Sequence, residues 1–62
     1  EYEKALEYYQ KSHEIMIKVY ANNPDNPNIA ISLNNIASVY YHKGEYEKAL
    51  EYYQKSHEIM IK

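Results

Sequence analysis

At 62 residues, with a net charge of −2, one glycine, two prolines and no cysteine, the chain has room for one small domain, and neither a disulfide nor a thiolate metal site can staple it. Lys and Glu are interleaved rather than segregated, so the basic footprint that nucleic acid or an anionic lipid surface requires is missing, and no apolar run approaches the roughly 20 residues that cross a bilayer. Nucleic acid and membrane are therefore not expected partners; the Glu-rich opening is unlike a basic, apolar leader, and the expected setting is cytoplasmic.

The segment EYEKALEYYQKSHEIMIK at residues 1–18 returns letter for letter at 45–62. Such identity marks a recent duplication or a chosen boundary. The chain reads as one 44-residue repeat plus the overlapping part of its neighbour, a piece of a near-identical tandem array.

A first helix is expected from Tyr2 to about Tyr20. Tyr2, Ala5, Leu6, Tyr9, Ser12, His13 and Met16 form its apolar stripe, and Tyr8, Ile15 and Val19 form a second edge. Ala21-Asn22-Asn23-Pro24-Asp25-Asn26-Pro27 is a cluster of turn formers that ends it. The second helix starts there, with Asn26 as N-cap, Asp25 able to share that role, and Pro27 at the first helical position, where its missing N–H is not needed. Ile29, Leu33, Ile36, Ala37 and Tyr40 make its stripe, and Gly44, the single glycine, stands where a left-handed C′ residue is wanted. The third helix begins with Glu45 and Glu47 near the positive end of its dipole and is expected to run through Lys62. It repeats the first stripe as Tyr46, Ala49, Leu50, Tyr53, Ser56, His57 and Met60, with Tyr52 and Ile59 as its second edge.

A helix that is apolar on two edges needs a partner on each side, which is the requirement of a stacked solenoid. Ala5, Ser12, Ala37, Ala49 and Ser56 fall where close helix approach needs small side chains. Nine tyrosines with no Phe or Trp suit a thin structure, since each ring is apolar while its hydroxyl reaches the edge. The expected class is all-α.

The stretch SLNNIASVYYHKGEYEKALEYYQKS closely resembles a tetratricopeptide repeat, with the signature roles taken by Leu33, Ile36, Ala37, Tyr40, Ala49, Tyr53 and Ser56, and again by Ala5, Tyr9 and Ser12. The resemblance implies an antiparallel helix-turn-helix repeat, here a three-helix piece of a right-handed α-solenoid. Residues 1–21 would be the second helix of a preceding repeat, 22–27 a loop, 28–43 a first helix and 45–62 its second. The usual repeat is about 34 residues long and closes its second helix with a proline, whereas Met60, Ile61 and Lys62 continue the helix here. With PDNPNIAISLNNIA after it, this longer helix is similar to the long-repeat subclass of kinesin light chains.

The resemblance further implies a non-enzymatic protein–protein interaction scaffold, or alternatively a peptide receptor that uses the concave surface of its first helices. Asn34, Asn35, Ser38, Tyr41 and His42 are the outward positions by that resemblance, and an Asn there has the paired donor and acceptor that hold an extended backbone. The plain alternative is a solvated face. His13 and His57 have no second His or carboxylate three or four residues on, so partly buried histidines with a local hydrogen bond are expected rather than a metal site. Ser12 and Ser56 beside them diverge by about 100° and make no nucleophile and base pair, and no cofactor or catalytic residue is expected. Of the tyrosine pairs, Tyr9, Tyr40 and Tyr53 are claimed by core stripes, which leaves Tyr41 as the most exposed.

The outer helices are each expected to lack one neighbour. Tyr2, Leu6 and Tyr9 at one end, and Tyr52, Ile59 and Met60 at the other, are the edges expected to be free for a second copy. Homo-oligomers follow, either a dimer that exchanges its identical terminal helices or an end-to-end stack.

Overall fold

A computed structural model describes residues 1–61 and is all helical: α1 (Tyr2–Val19), α2 (Pro27–Lys43) and α3 (Tyr46–Met60). Lys62, the last residue of the expected third helix, lies outside the described residues. The helices form a slab 33 × 22 × 11 Å in extent, scarcely thicker than a single helix. α2 is the middle member and packs against both others, while no close approach joins α1 to α3 among the described residues. No helix among them is long and apolar enough to cross a membrane.

The ends of α2 follow from local chemistry. Asn26 keeps an extended backbone (φ −61°, ψ 133°), and its Oδ1 accepts from the Asn28 N–H at 2.8 Å, with Pro27 next in line. Gly44 closes the helix at φ 88°, a conformation in which an added Cβ would meet no neighbouring atom but would strain the backbone. The Gly44 N–H then donates to Tyr41 O at 3.0 Å and the Glu45 N–H to Tyr40 O at 2.9 Å, the paired bonds of a Schellman stop. α3 begins after Glu45, and Ile61 lies past its end in a turn. Lys43 sits at this corner, 3.0 Å from Glu45 and 3.3 Å from Glu3 of α1. Hydrogen bonding to Glu45, then to Glu3, raises the Lys43 pKa, and the same contact with Lys43 lowers that of Glu45.

α2 supplies most of the buried side chains: Ile29, Ala30, Ser32, Leu33, Ile36, Ala37 and Val39. α1 adds Leu6, and α3 adds Ala49 and Ser56. The two interfaces differ in kind. Against α3, the small residues Ala30, Ala37, Ala49 and Ser56 are buried, and Ser56 Oγ donates to Ala30 O at 2.9 Å. Tyr52 stacks on Tyr40 beside them, rings 5.6 Å apart and inclined by 17°. Against α1, larger side chains meet: Leu6 packs with Ile36 and Val39, with Tyr9 alongside.

This arrangement keeps only part of the free edges expected from sequence: Tyr2 and Met60 are exposed as expected, and the others are not. Leu6 is only 8% exposed, whereas Leu50, the same residue one repeat later, is 57% exposed. Tyr9, Tyr52 and Ile59 are half-buried, and Tyr53, expected in the core, is exposed. The uncovered edges are Tyr8, Ile15 and Val19 on α1 and Tyr46, Leu50, Tyr53 and Met60 on α3. The reason is geometric. α1 and α3 both run antiparallel to α2 and lie on opposite flanks of it, so the middle helix meets the right edge of one and the left edge of its twin. The single stripe drawn on α3 from sequence is thereby split, with Ala49 and Ser56 turned to α2 and the larger residues turned away.

Candidate functional site

The side of α2 turned away from the core brings together the residues singled out from sequence. At about 100° per residue, Asn34, Asn35, Ser38, Tyr41 and His42 fall within an arc of about 120°, opposite the line of Ile29, Leu33 and Ile36. Asn34, Asn35 and Ser38 are half-buried at their bases, while Tyr41 and His42 are exposed. The His42 Nδ1–H donates to Ser38 O at 2.7 Å, which fixes the tautomer and leaves Nε2 as the outward acceptor. Tyr41 is held between two rings, edge-on to His42 at 5.7 Å and to Tyr46 at 5.3 Å. Neither Asn34 nor Asn35 has a side-chain hydrogen bond among the described residues, so both amides are available to a backbone in an extended partner.

Ile31 lies in the middle of this arc and is half exposed. Sequence reading passed over it, although an isoleucine standing off the apolar stripe was the signal. Tyr41 is also not the most exposed tyrosine: it is 54% exposed, against 69% for Tyr8 and 63% for Tyr46. Tyr8 lies on an edge of α1 that no other described helix covers, and Tyr46 stands at the start of α3 with one side against the Tyr41 ring.

On the opposite side, a groove of about 640 Å³ opens over Ile29 and Leu33, walled by Ile17 and Tyr20 on one flank and by Tyr52 and Ile59 on the other. His13, Lys55 and Glu58 stand at its rim. His13 is half-buried, but its hydrogen bond is not local: Nδ1 lies 2.6 Å from Ser32 Oγ on α2. Ser32 Oγ donates its one proton to Ile29 O at 3.0 Å, so Nδ1–H must be the donor to the hydroxyl. The relay ties α1 to the first turn of α2, and no sequence pattern announces it because the partners are 19 residues apart. His57, the counterpart of His13, is exposed.

Burial, and then the positive charge of Lys55, hold His13 below its ordinary pKa of 6.5, with Glu14 opposing. A histidine with a depressed folded-state pKa protonates first in the unfolded chain, so its contribution to stability is complete above pH 6.5 and is lost as pH falls through the lower folded value. Urea denaturation at pH 7.5 and 5.5 is expected to show lower stability at the acid end. His13→Gln is expected to flatten that difference; an equally steep loss in the variant would exclude His13 as the source.

A family model described as tetratricopeptide repeat matches residues 1–62. No curated protein and no solved structure matches the chain.

Proposed function

The chain belongs to the tetratricopeptide repeat family, a helical-repeat module for protein interaction, and on that premise we propose that it is a non-enzymatic scaffold, a piece of a near-identical tandem array that self-associates through its outer helices. What supports this reading is one observation. Two helices drawn from one repeated segment bury opposite edges against α2, so each carries an apolar edge that no other described helix covers. Residues 1–21 act in this reading as the second helix of a preceding repeat, and α2 with α3 as a full pair. The family's stacking rule asks for a helix on every such edge. Sedimentation over a rising concentration series is expected to show mass above the 7.4 kDa of one chain; a folded species that keeps the single-chain mass up to millimolar concentration removes the self-association.

A second reading, peptide reception on α2, has its own support in the convergence of Asn34, Asn35, Ser38, Tyr41 and His42 on one face with the Asn amides uncommitted. Screening against an extended-peptide library separates it from the first: binding that disappears in Asn35→Ala favours reception, and binding untouched by that change counts against it.

A further inference from the structure

The groove over Ile29 and Leu33 is built by the chain itself. Its walls come from the sides of α1 and α3 that face each other across α2. A helix stacked on either outer flank would lie against the opposite edges, those of Ile15 on α1 and Leu50 on α3, and would leave this opening as it is.

The shape of the groove selects a compact occupant. Its floor, from Ile29 to Leu33, covers four residues of α2 or about 6 Å, with Tyr52 at one end, stacked on Tyr40, and Tyr20 and Pro24 at the other. Two turns of a partner helix need about 11 Å and find no bed there. The volume of about 640 Å³ instead falls among those of small-molecule sites. The walls are also fixed before anything binds. The Tyr20 hydroxyl accepts from Asn28 Nδ2 at 2.9 Å, His13 is tied to Ser32 at 2.6 Å, and the Tyr52 ring lies 5.6 Å from that of Tyr40.

The rim supplies the charge. Lys55 Nζ is held 5.1 Å from the centre of the Tyr52 ring, within cation–π range, and makes no ion pair among the described residues, although Glu51 and Glu58 stand on the same helix. Its field crosses the mouth of the groove, since burial first and then this charge hold His13 below its ordinary pKa. Glu58, the other charged rim residue, has no comparable anchor on a lining ring and disfavours a second negative group. An apolar floor beneath one uncommitted ammonium therefore matches an apolar body that carries one negative charge.

We propose that the groove binds a small apolar monocarboxylate, with its body on Ile29 and Leu33 between Tyr20 and Tyr52 and its carboxylate on the Lys55 ammonium. This site goes beyond the scaffold function, and it does not depend on self-association, because its walls lie away from the uncovered outer edges.

Isothermal titration calorimetry with 2-naphthoate on the parent chain, Lys55→Met, Lys11→Met and Ile17→Asp tests it. Lys11 holds the place of Lys55 in the first copy of the repeated segment, is exposed, and does not line the groove. Lys55 and Ile17 are exposed as well, so all three variants are expected to keep the helical circular dichroism of the parent. The parent is expected to bind one molecule per chain, Lys55→Met and Ile17→Asp roughly tenfold or more weakly, and Lys11→Met as the parent does. The 2-naphthylmethylammonium ion, with the same rings and the opposite charge, is expected to bind the parent roughly tenfold more weakly than naphthoate. No saturable binding to the parent up to about 10 mM, an equal loss in Lys11→Met and Lys55→Met, or equal affinity for the ammonium analogue would each overturn the proposal.

Discussion

Leu6→Ala is expected to destabilise the chain by about 2–4 kcal/mol, while Leu50→Ala stays within about 1 kcal/mol. The two leucines sit in identical surroundings of sequence, so helix propensity and local charge cancel between them. Leu6 packs against Ile36 and Val39 and is the one buried residue of α1. Shortening it opens a cavity at the contact that holds α1 to α2. Leu50 faces away from the core, and its truncation removes little from the folded monomer. In a domain this small a loss of that size approaches the whole stability. Urea titration at low micromolar concentration, below any dimerisation, reads the difference as a shifted midpoint at similar slope. Equal shifts for the two variants would contradict the assignment of edges.

Ser56→Leu and Ser12→Leu are expected to part in the same way at the other interface, for a steric reason. Ser56 is 1% exposed and wedged with Ala49 against Ala30 and Ala37, so that the α2 and α3 backbones approach closely. A leucine there has no space, forces the helices apart and loses the bond to Ala30 O. Overpacking of about 1–3 kcal/mol and a lost hydrogen bond of about 1 kcal/mol add to a loss that a short domain hardly withstands. Ser12 is only half-buried on the free side of α1, and a leucine there has solvent to extend into. Its cost is expected to stay under about 1 kcal/mol. Thermal melts by circular dichroism compare them, and a Ser12→Leu variant that melts as early as Ser56→Leu would refute the account of close approach on α3 alone.

Much of the fold was legible because its signals are local. Asn26 and Pro27 open α2 where expected and Gly44 closes it, since capping and a left-handed residue depend only on the few residues around them. The all-α class and the two apolar edges on each outer helix follow from a 3.6-residue period, as does the grouping of Asn34, Asn35, Ser38, Tyr41 and His42 on one face of α2. Tyr53 and Tyr52 show where this kind of reading stops. Adjacent on the helix, each belongs to an apolar edge, and periodicity alone cannot rank the edges. Tyr52 took the core place, stacked on Tyr40, and Tyr53 was left outside. The His13 to Ser32 relay was out of reach for a related reason, because the partners meet only when α1 folds back on α2.

The sequence by itself determined that there are three helices, where α2 starts and stops, and that each outer one has two apolar edges, because helix period, capping and the internal repeat are written in neighbouring residues. Only the tertiary structure decided which edge of each is covered. One sequence on opposite flanks of a shared helix must present opposite sides to it, so Leu6 and Leu50, Ser12 and Ser56, His13 and His57 share an identity and differ in environment.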